Sequence, residues 1–342
     1  LNFGSDTTSP AHPSVIEALA RANSGYEPSY GGDAITARLR ALLAETLDTE
    51  DFDFWLVASG TAANALALSC FCPPTGAILC HEEAHIERDE RGAPGFFTGG
   101  ASLRLLPGRG AKIDPAAFEA VIARNNPDFV HETPLHVLSL TNLTECGTMY
   151  SGPETVAFAQ RAKSAGLAVH LDGARLANAL ASANVRPAKF TWTCGVDVLT
   201  LGLTKTGAIG CEIIILFGKA REKFSELRVR AKRAGHMPAK MRYLAAQAEA
   251  MLTGGLWLDL AGQANVKARL LSSTFSLMGI DHKYLMEGNE VFVTLEPEDI
   301  EVLKAAGATF YEWPGGSCRF VCSWTTTEGE ISALRSALSA RR

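Results

Sequence analysis

The sequence predicts an α/β fold, with a mostly parallel central sheet flanked by helices and a small C-terminal α+β domain. Three observations predict it. Strand-length apolar runs alternate with helical patterns through residues 1–240, as in a parallel sheet covered on both faces. Beyond residue 241 the pattern changes to a long helical stretch, two alternating runs and a closing helix. The residues with the most chemical character follow the ends of apolar runs, where ligands bind in such sheets.

In chain order, the strand-like runs are 54–58, 76–80, 102–106, 137–140, 168–171, 196–201 and 211–217. Helical periodicity covers 62–70, 115–124 and 153–165 between them. A helical stretch then runs from 238 to 278, interrupted near Gly254-Gly255. Alternating runs at 291–295 and 319–324 and a helix at 328–339 complete the second part. The expected domains are therefore 1–240 and 241–342. No internal repeat or low-complexity segment is evident.

Of the 342 residues, 47% are apolar and 20% charged, the balance of a folded globular chain. No stretch reaches the roughly 18 uncharged apolar residues of a membrane span. Net charge is −5, and the one basic stretch is 228–240, so neither nucleic acid nor a membrane is an expected partner. The eight cysteines show no zinc-finger pairing, which leaves buried thiols, no expected metal site and a reducing, cytoplasmic setting. The chain starts at Leu1 with no basic or long apolar leader, so no secretory signal is expected in this numbering. The absence of Met there suggests that a few native residues precede it.

Lys205 stands in Leu203-Thr204-Lys205-Thr206-Gly207, between the apolar runs at 196–201 and 211–217. Upstream, Asp172 ends the run in Val169-His170-Leu171-Asp172-Gly173-Ala174-Arg175. A strand ending in Asp, a further strand and then Lys is what an enzyme needs to hold pyridoxal phosphate. The amine forms a Schiff base with the aldehyde, and the carboxylate keeps the pyridine nitrogen protonated. Ser59-Gly60-Thr61 follows a strand and opens a helix. That is an N-cap turn and also a ready phosphate cradle.

His85, just past another strand, is a surface or core filler or else a ring positioned over the cofactor for proton transfer. Glu90 is a second candidate for that transfer, whereas Glu82, Glu83 and Glu87 read as a solvated acidic face. Arg319 lies inside an apolar strand, which calls for a carboxylate partner. That partner is an internal acid or the α-carboxylate of an amino-acid substrate. Arg175 could reach the cofactor or the same carboxylate. Turn chemistry alone accounts for 4–10 and 30–33.

Together, Ser5-Asp6, Tyr30-Gly31-Gly32-Asp33, Ser59-Gly60-Thr61, Ala84-His85, Asp172-Gly173-Ala174-Arg175, Thr204-Lys205 and the strand around Arg319 resemble the threonine aldolase family. These are pyridoxal-phosphate enzymes of the aspartate-aminotransferase type, fold type I. The likeness runs over nearly the whole chain, and Asp-Gly-Ala-Arg followed by Thr-Lys is its most specific part. The segments at 141–148 and 240–243 resemble one bacterial branch in particular.

The resemblance implies that Lys205 carries the cofactor, Asp172 pairs with its ring nitrogen and His85 stacks on the ring. It assigns the phosphate to Gly60 and Thr61, and the substrate carboxylate to Ser5, Arg175 and Arg319. Tyr30 is expected from a neighbouring subunit, since family active sites lie at a dimer interface, commonly within a homotetramer. The implied reaction is reversible cleavage of a β-hydroxy-α-amino acid to glycine and an aldehyde. An aminotransferase or a β-eliminating lyase on the same scaffold is the alternative. The chain departs from some relatives at Glu145, where they carry a histidine, and at 232–240 in place of a glycine-rich arginine segment.

Overall fold

The computed structural model describes residues 1–313 and 316–341. Seven strands form the main sheet: β1 (Phe52–Val57), β2 (Ala77–His81), β3 (Ser102–Leu106), β4 (Leu135–Thr141), β5 (Ala168–Gly173), β6 (Val198–Gly202) and β7 (Glu212–Phe217). Their spatial order is β1-β7-β6-β5-β4-β2-β3. Pairing is parallel from β3 across to β6, and β7 is antiparallel to both β6 and β1. Every residue of β2, β6 and β7 is buried, which is why these strands read as unbroken apolar runs. The segment from Gly202 to Glu212 is too short for the helical crossover a parallel partner needs, so β7 returns alongside β6 in the opposite direction.

Helix starts follow their capping chemistry. Asp114 caps Pro115–Arg124 with proline at the first position. Ser151 and Glu154 form a reciprocal capping box on Gly152–Ser164. The helix Gly60–Phe71 is apolar all round and packs against β5, β6 and β7, so its N-terminus is carried to the carboxyl edge of the sheet.

A second, three-stranded antiparallel sheet of β8 (Glu290–Thr294), β9 (Tyr311–Trp313) and β10 (Ser317–Val321) has the order β8-β10-β9. The sequence does not signal β9, whose Tyr311 and Glu312 are exposed and leave no apolar run to read. The long helical stretch divides where expected. Arg242–Leu252 and Leu256–Leu277 are separated by Gly254 and Gly255, both at positive φ.

Burial is organised around two main cores. The larger gathers β1, β7 and their helices, including Ala245, Ala248 and Met251. The smaller joins Phe3 with Ala268, Leu271, Phe275, Val291, Phe320 and Leu334. Each fully buried Leu or Phe of this kind contributes roughly 1.5–3 kcal/mol. We propose the sequence division at 240/241 as the domain limit. It falls just before a helix that packs in the larger core, and Leu256–Leu277 contributes to both cores. The N-terminal segment crosses back to the small sheet, where Phe3 N–H donates to the Thr309 carbonyl at 2.9 Å and Val321 N–H to the Phe3 carbonyl at 2.8 Å.

Candidate active site

At the carboxyl edge of β4, β5 and β6 lies a cavity of about 250 Å³. Its lining includes Ser59, Gly60, Thr61, His85, Asp172, Arg175 and Lys205, together with Thr7, Asn64, Glu145, Thr204 and Glu212. Lys205 sits in the single 3-10 turn Thr204–Thr206 directly after β6. Asp172 pairs with Thr141 on β4 and Thr200 on β6. Its Oδ1 accepts from Ala174 N–H at 3.0 Å and its Oδ2 from Asn64 Nδ2 at 2.7 Å.

The Ser59 hydroxyl caps the helix by accepting from Ala62 N–H at 3.3 Å. A Cβ at Gly60 would meet no atom within 4 Å, so the helix N-terminus opens onto free space. His85 donates its backbone N–H to Glu145 Oε1 at 2.7 Å, and its Nδ1 lies 2.9 Å from Glu90 Oε1. Burial would lower the His85 pKa, but the Glu90 hydrogen bond and the charge of Asp172 carry it above the ordinary value. Burial also pushes Glu90 up. It pushes Glu145 up to about 7 with help from Asp172, and Glu212 up to about 7 against the opposing pull of Thr204 and Lys205.

Arg175 follows β5 as the residue before Leu176–Ala183. Its guanidinium grips Asp6 with two bonds, Nε to Oδ2 at 2.7 Å and Nη2 to Oδ1 at 3.0 Å. Glu290 of β8 lies 3.5 Å from Arg175 and 3.7 Å from Arg319. Glu290 and Arg319 are diagonal neighbours on one face of the small sheet, because Val321 pairs with Glu290 and Arg319 with Phe292. The Arg319 guanidinium is also flanked by the Tyr311 and Trp313 rings at 4.9 and 5.0 Å.

Seven of the residues given site roles in the sequence thus meet around one cavity, whereas Arg319, Ser5, Tyr30 and Glu90 do not line it. Arg319 connects to it through Glu290 and Arg175. Ser5 contacts Thr7, a lining residue, at 2.8 Å. Tyr30 is 42% exposed and lines a separate surface cavity with Trp55, Arg228 and Met241. Lys232 Nζ stands 4.7 Å from its ring centroid.

Asn64 and Glu212 were not singled out by sequence reasoning, nor was Glu290. The only signal for Asn64 and Glu290 is a polar residue buried in an otherwise apolar element. Glu212 opens β7 in the same way.

A parallel sheet bearing a lysine, an aspartate and an open helix N-terminus at its carboxyl edge defines an aspartate-aminotransferase-like enzyme of fold type I. Residues 2–298 match the beta-eliminating lyase family. The chain is 37% identical over 341 residues to a low-specificity L-threonine aldolase of a Pseudomonas species, covering 99% of this chain and 97% of that one. It is 38% identical over 334 residues to the Pseudomonas aeruginosa low-specificity L-threonine aldolase, covering 97% and 95%. The solved structure of Leishmania major threonine aldolase superposes with a TM-score of 0.92 at 27% identity, over 99% of each chain. The chain belongs to the beta-eliminating lyase family and, within it, to the low-specificity L-threonine aldolases.

The residues present suit pyridoxal phosphate. Lys205 Nζ makes no hydrogen bond or ion pair among the described residues, the open space at Gly60 faces unpaired helix donors, and Asp172 is held by two donors. An amine, an anion cradle and a fixed carboxylate are the complement that this cofactor requires.

Proposed function

We propose that this protein is a pyridoxal-phosphate-dependent aldolase that reversibly cleaves L-threonine, L-allo-threonine or a related β-hydroxy-α-amino acid to glycine and an aldehyde. The observation that carries the reading is the single cavity that joins Lys205, Asp172, His85 and the Gly60 helix N-terminus in a chain of this family. Pyridoxal phosphate, when bound, supplies an aldehyde that condenses with amines and a protonated ring that accepts the electron pair of the breaking bond.

The chain supplies the rest. Lys205 would offer the amine that holds the cofactor. Asp172, fixed by Asn64 and the Ala174 N–H, would face the ring nitrogen with its carboxyl group. Ser59, Gly60 and Thr61 offer hydroxyls and backbone donors to the phosphate. Arg319 and Arg175, with Ser5, receive the substrate carboxylate and orient the Cα–Cβ bond. His85, directly or through a water it positions, takes the β-hydroxyl proton.

Tyr30, which does not line its own chain's cavity, is assigned to that of a second copy in a homodimer, itself half of a tetramer. A cytoplasmic location accords with the thiol usage of eight unpaired cysteines. No described helix is long and apolar enough to cross a membrane.

Incubation with L-threonine tests the reaction. Glycine and acetaldehyde in equal amounts are expected. Ammonia with a keto acid would instead assign the protein to elimination, and a keto acid with retained amine to transamination.

A further inference from the structure

Along the cavity wall, four side chains, of which only Glu90 is set back from the lining, form one continuous hydrogen-bonded chain. His85 Nδ1 meets Glu90 Oε1 at 2.9 Å, and Asn64 Nδ2 reaches the same Oε1 at 2.9 Å. The same nitrogen reaches Asp172 Oδ2 at 2.7 Å. Glu90, Asn64 and Asp172 are each at most 4% exposed.

Asn64 carries the argument. Two carboxylates in one buried place repel each other unless a donor stands between them, and a primary amide nitrogen has two hydrogens to give. The reverse amide orientation would set its oxygen against both acids, so the hydrogen bonds themselves determine which way the amide points. Serine has a single O–H hydrogen, and aspartate would add a third negative charge.

At the other end, with Glu90 ionised its Oε1 can only accept from Nδ1, which places a proton on that nitrogen and leaves Nε2 as the ring atom with no partner among the described residues. His85 lines the cavity, whereas Glu90 does not.

We propose that Glu90 and Asn64 are positioning residues. They hold His85 with Nδ1 protonated and Nε2 open to the cavity, and they tie its protonation to the charge of Asp172. Glu90 is thereby removed from the candidates for direct proton transfer, since its reachable oxygen is committed to His85 and Asn64. The groups that face His85 are Glu90, Asp172 from β5, Glu145 from the loop after β4, and Lys205 from the turn after β6. The first two favour the charged ring and Lys205 opposes it. The inference rests on the aldolase reading only for the direction in which the proton moves.

The test is histidine-selective ¹⁵N NMR of the full chain, with and without added pyridoxal phosphate, alongside the pH profile of kcat/KM for threonine. In the unmodified protein, His85 is expected to carry its neutral-form proton on Nδ1 and to titrate above an ordinary histidine. Glu90→Gln is expected to lower that midpoint by about one unit or more. The acid limb of the kcat/KM profile should move to lower pH by the same amount. Glu90→Asp, which keeps the charge but shortens the reach, should move the midpoint in the same direction and serves if the glutamine variant does not fold.

An unchanged His85 titration in whichever variant folds, or a neutral-form proton on Nε2 in the unmodified protein, overturns the proposal. If the titration shifts as expected and threonine is not cleaved by the unmodified protein, the hydrogen-bond chain stands and the aldolase reading falls.

Discussion

Lys205, whose amine has no partner among the described residues and borders a cavity lined with carboxylates, is the most informative single residue of this chain. Lys205 faces Asp172, Glu212 and Glu145 around one space and yet bonds to none of them. Lys205→Ala is expected to abolish threonine cleavage and to remove the visible absorbance that added pyridoxal phosphate acquires on capture. Unchanged absorbance would count against this site.

Glu212 supplies a test of the site's electrostatics in the cofactor-free protein. Its folded-state pKa of about 7 lies above the ordinary 4.5. The folded state therefore favours the protonated form, a stabilisation complete below the unfolded pKa and lost as pH rises through 7. Glu212→Gln keeps an acceptor for the Leu203 N–H but has no proton to lose. Its stability, read from thermal melts, should climb relative to the unmodified protein between pH 4.5 and 7, by an amount on the order of 3 kcal/mol. A constant difference across that range would show that burial does not hold this carboxyl neutral.

Lys205, Asp172, His85 and the Ser59 cap were legible because each is a chemically specific type placed just after an apolar run. Asn64 was not, because its role exists only through Glu90 and Asp172, 26 and 108 positions away in the chain.

Among the elements, the ends of β5 and β6 must approach closely for Asp172 and Lys205 to share a cavity, and two glycines permit it. A Cβ at Gly202 would lie 2.6 Å from the Ala174 carbonyl oxygen, and one at Gly173 would lie 2.7 Å from that of Thr200. Both obstacles are backbone, which cannot rotate away. Gly202→Ala is expected to cost about 1–3 kcal/mol in stability and to weaken cofactor retention, as read by thermal melts and dialysis. Full retention with an unchanged melt would mean that the strand ends have slack.

The parallel strands were readable as apolar runs because both their faces are covered. The direction of β7 was not written in its composition, since a buried run looks the same either way. It follows from the shortness of the turn that carries Lys205. The helices Pro13–Ala22 and Ala34–Leu47 escaped sequence reading although both have capped starts, His12 in the first and Asp33 in the second. They follow the segments at 4–10 and 30–33, which turn chemistry accounts for, in stretches to which sequence reading assigned no element.

Across the whole molecule, an ionic cluster joins three distant parts of the chain. Asp6 comes from the N-terminal segment, Arg175 from the end of β5, and Glu290 with Arg319 from the small sheet. Burial alone would raise the Asp6 pKa, but Arg175 and Lys205 hold it at about 2. A depressed carboxyl stabilises the fold above its unfolded pKa, and this is lost as pH falls through the folded value. Acid should therefore remove on the order of 2 kcal/mol between pH 4 and 2. Asp6→Asn should lack that portion of the loss and be less stable at neutral pH by about 3–5 kcal/mol. Parallel acid melts of the two proteins would contradict the pairing.

Because Arg319, from the small sheet, both binds and orients the substrate carboxylate in this reading, Arg319→Ala should both raise KM and lower kcat for threonine. Unaltered kinetics would place the carboxylate elsewhere.

The most direct measurement is borohydride reduction of the protein with pyridoxal phosphate, followed by peptide mapping. The account requires the reduced cofactor on Lys205, in the peptide that joins β6 to β7. Label on any other lysine, or none at all, would contradict it.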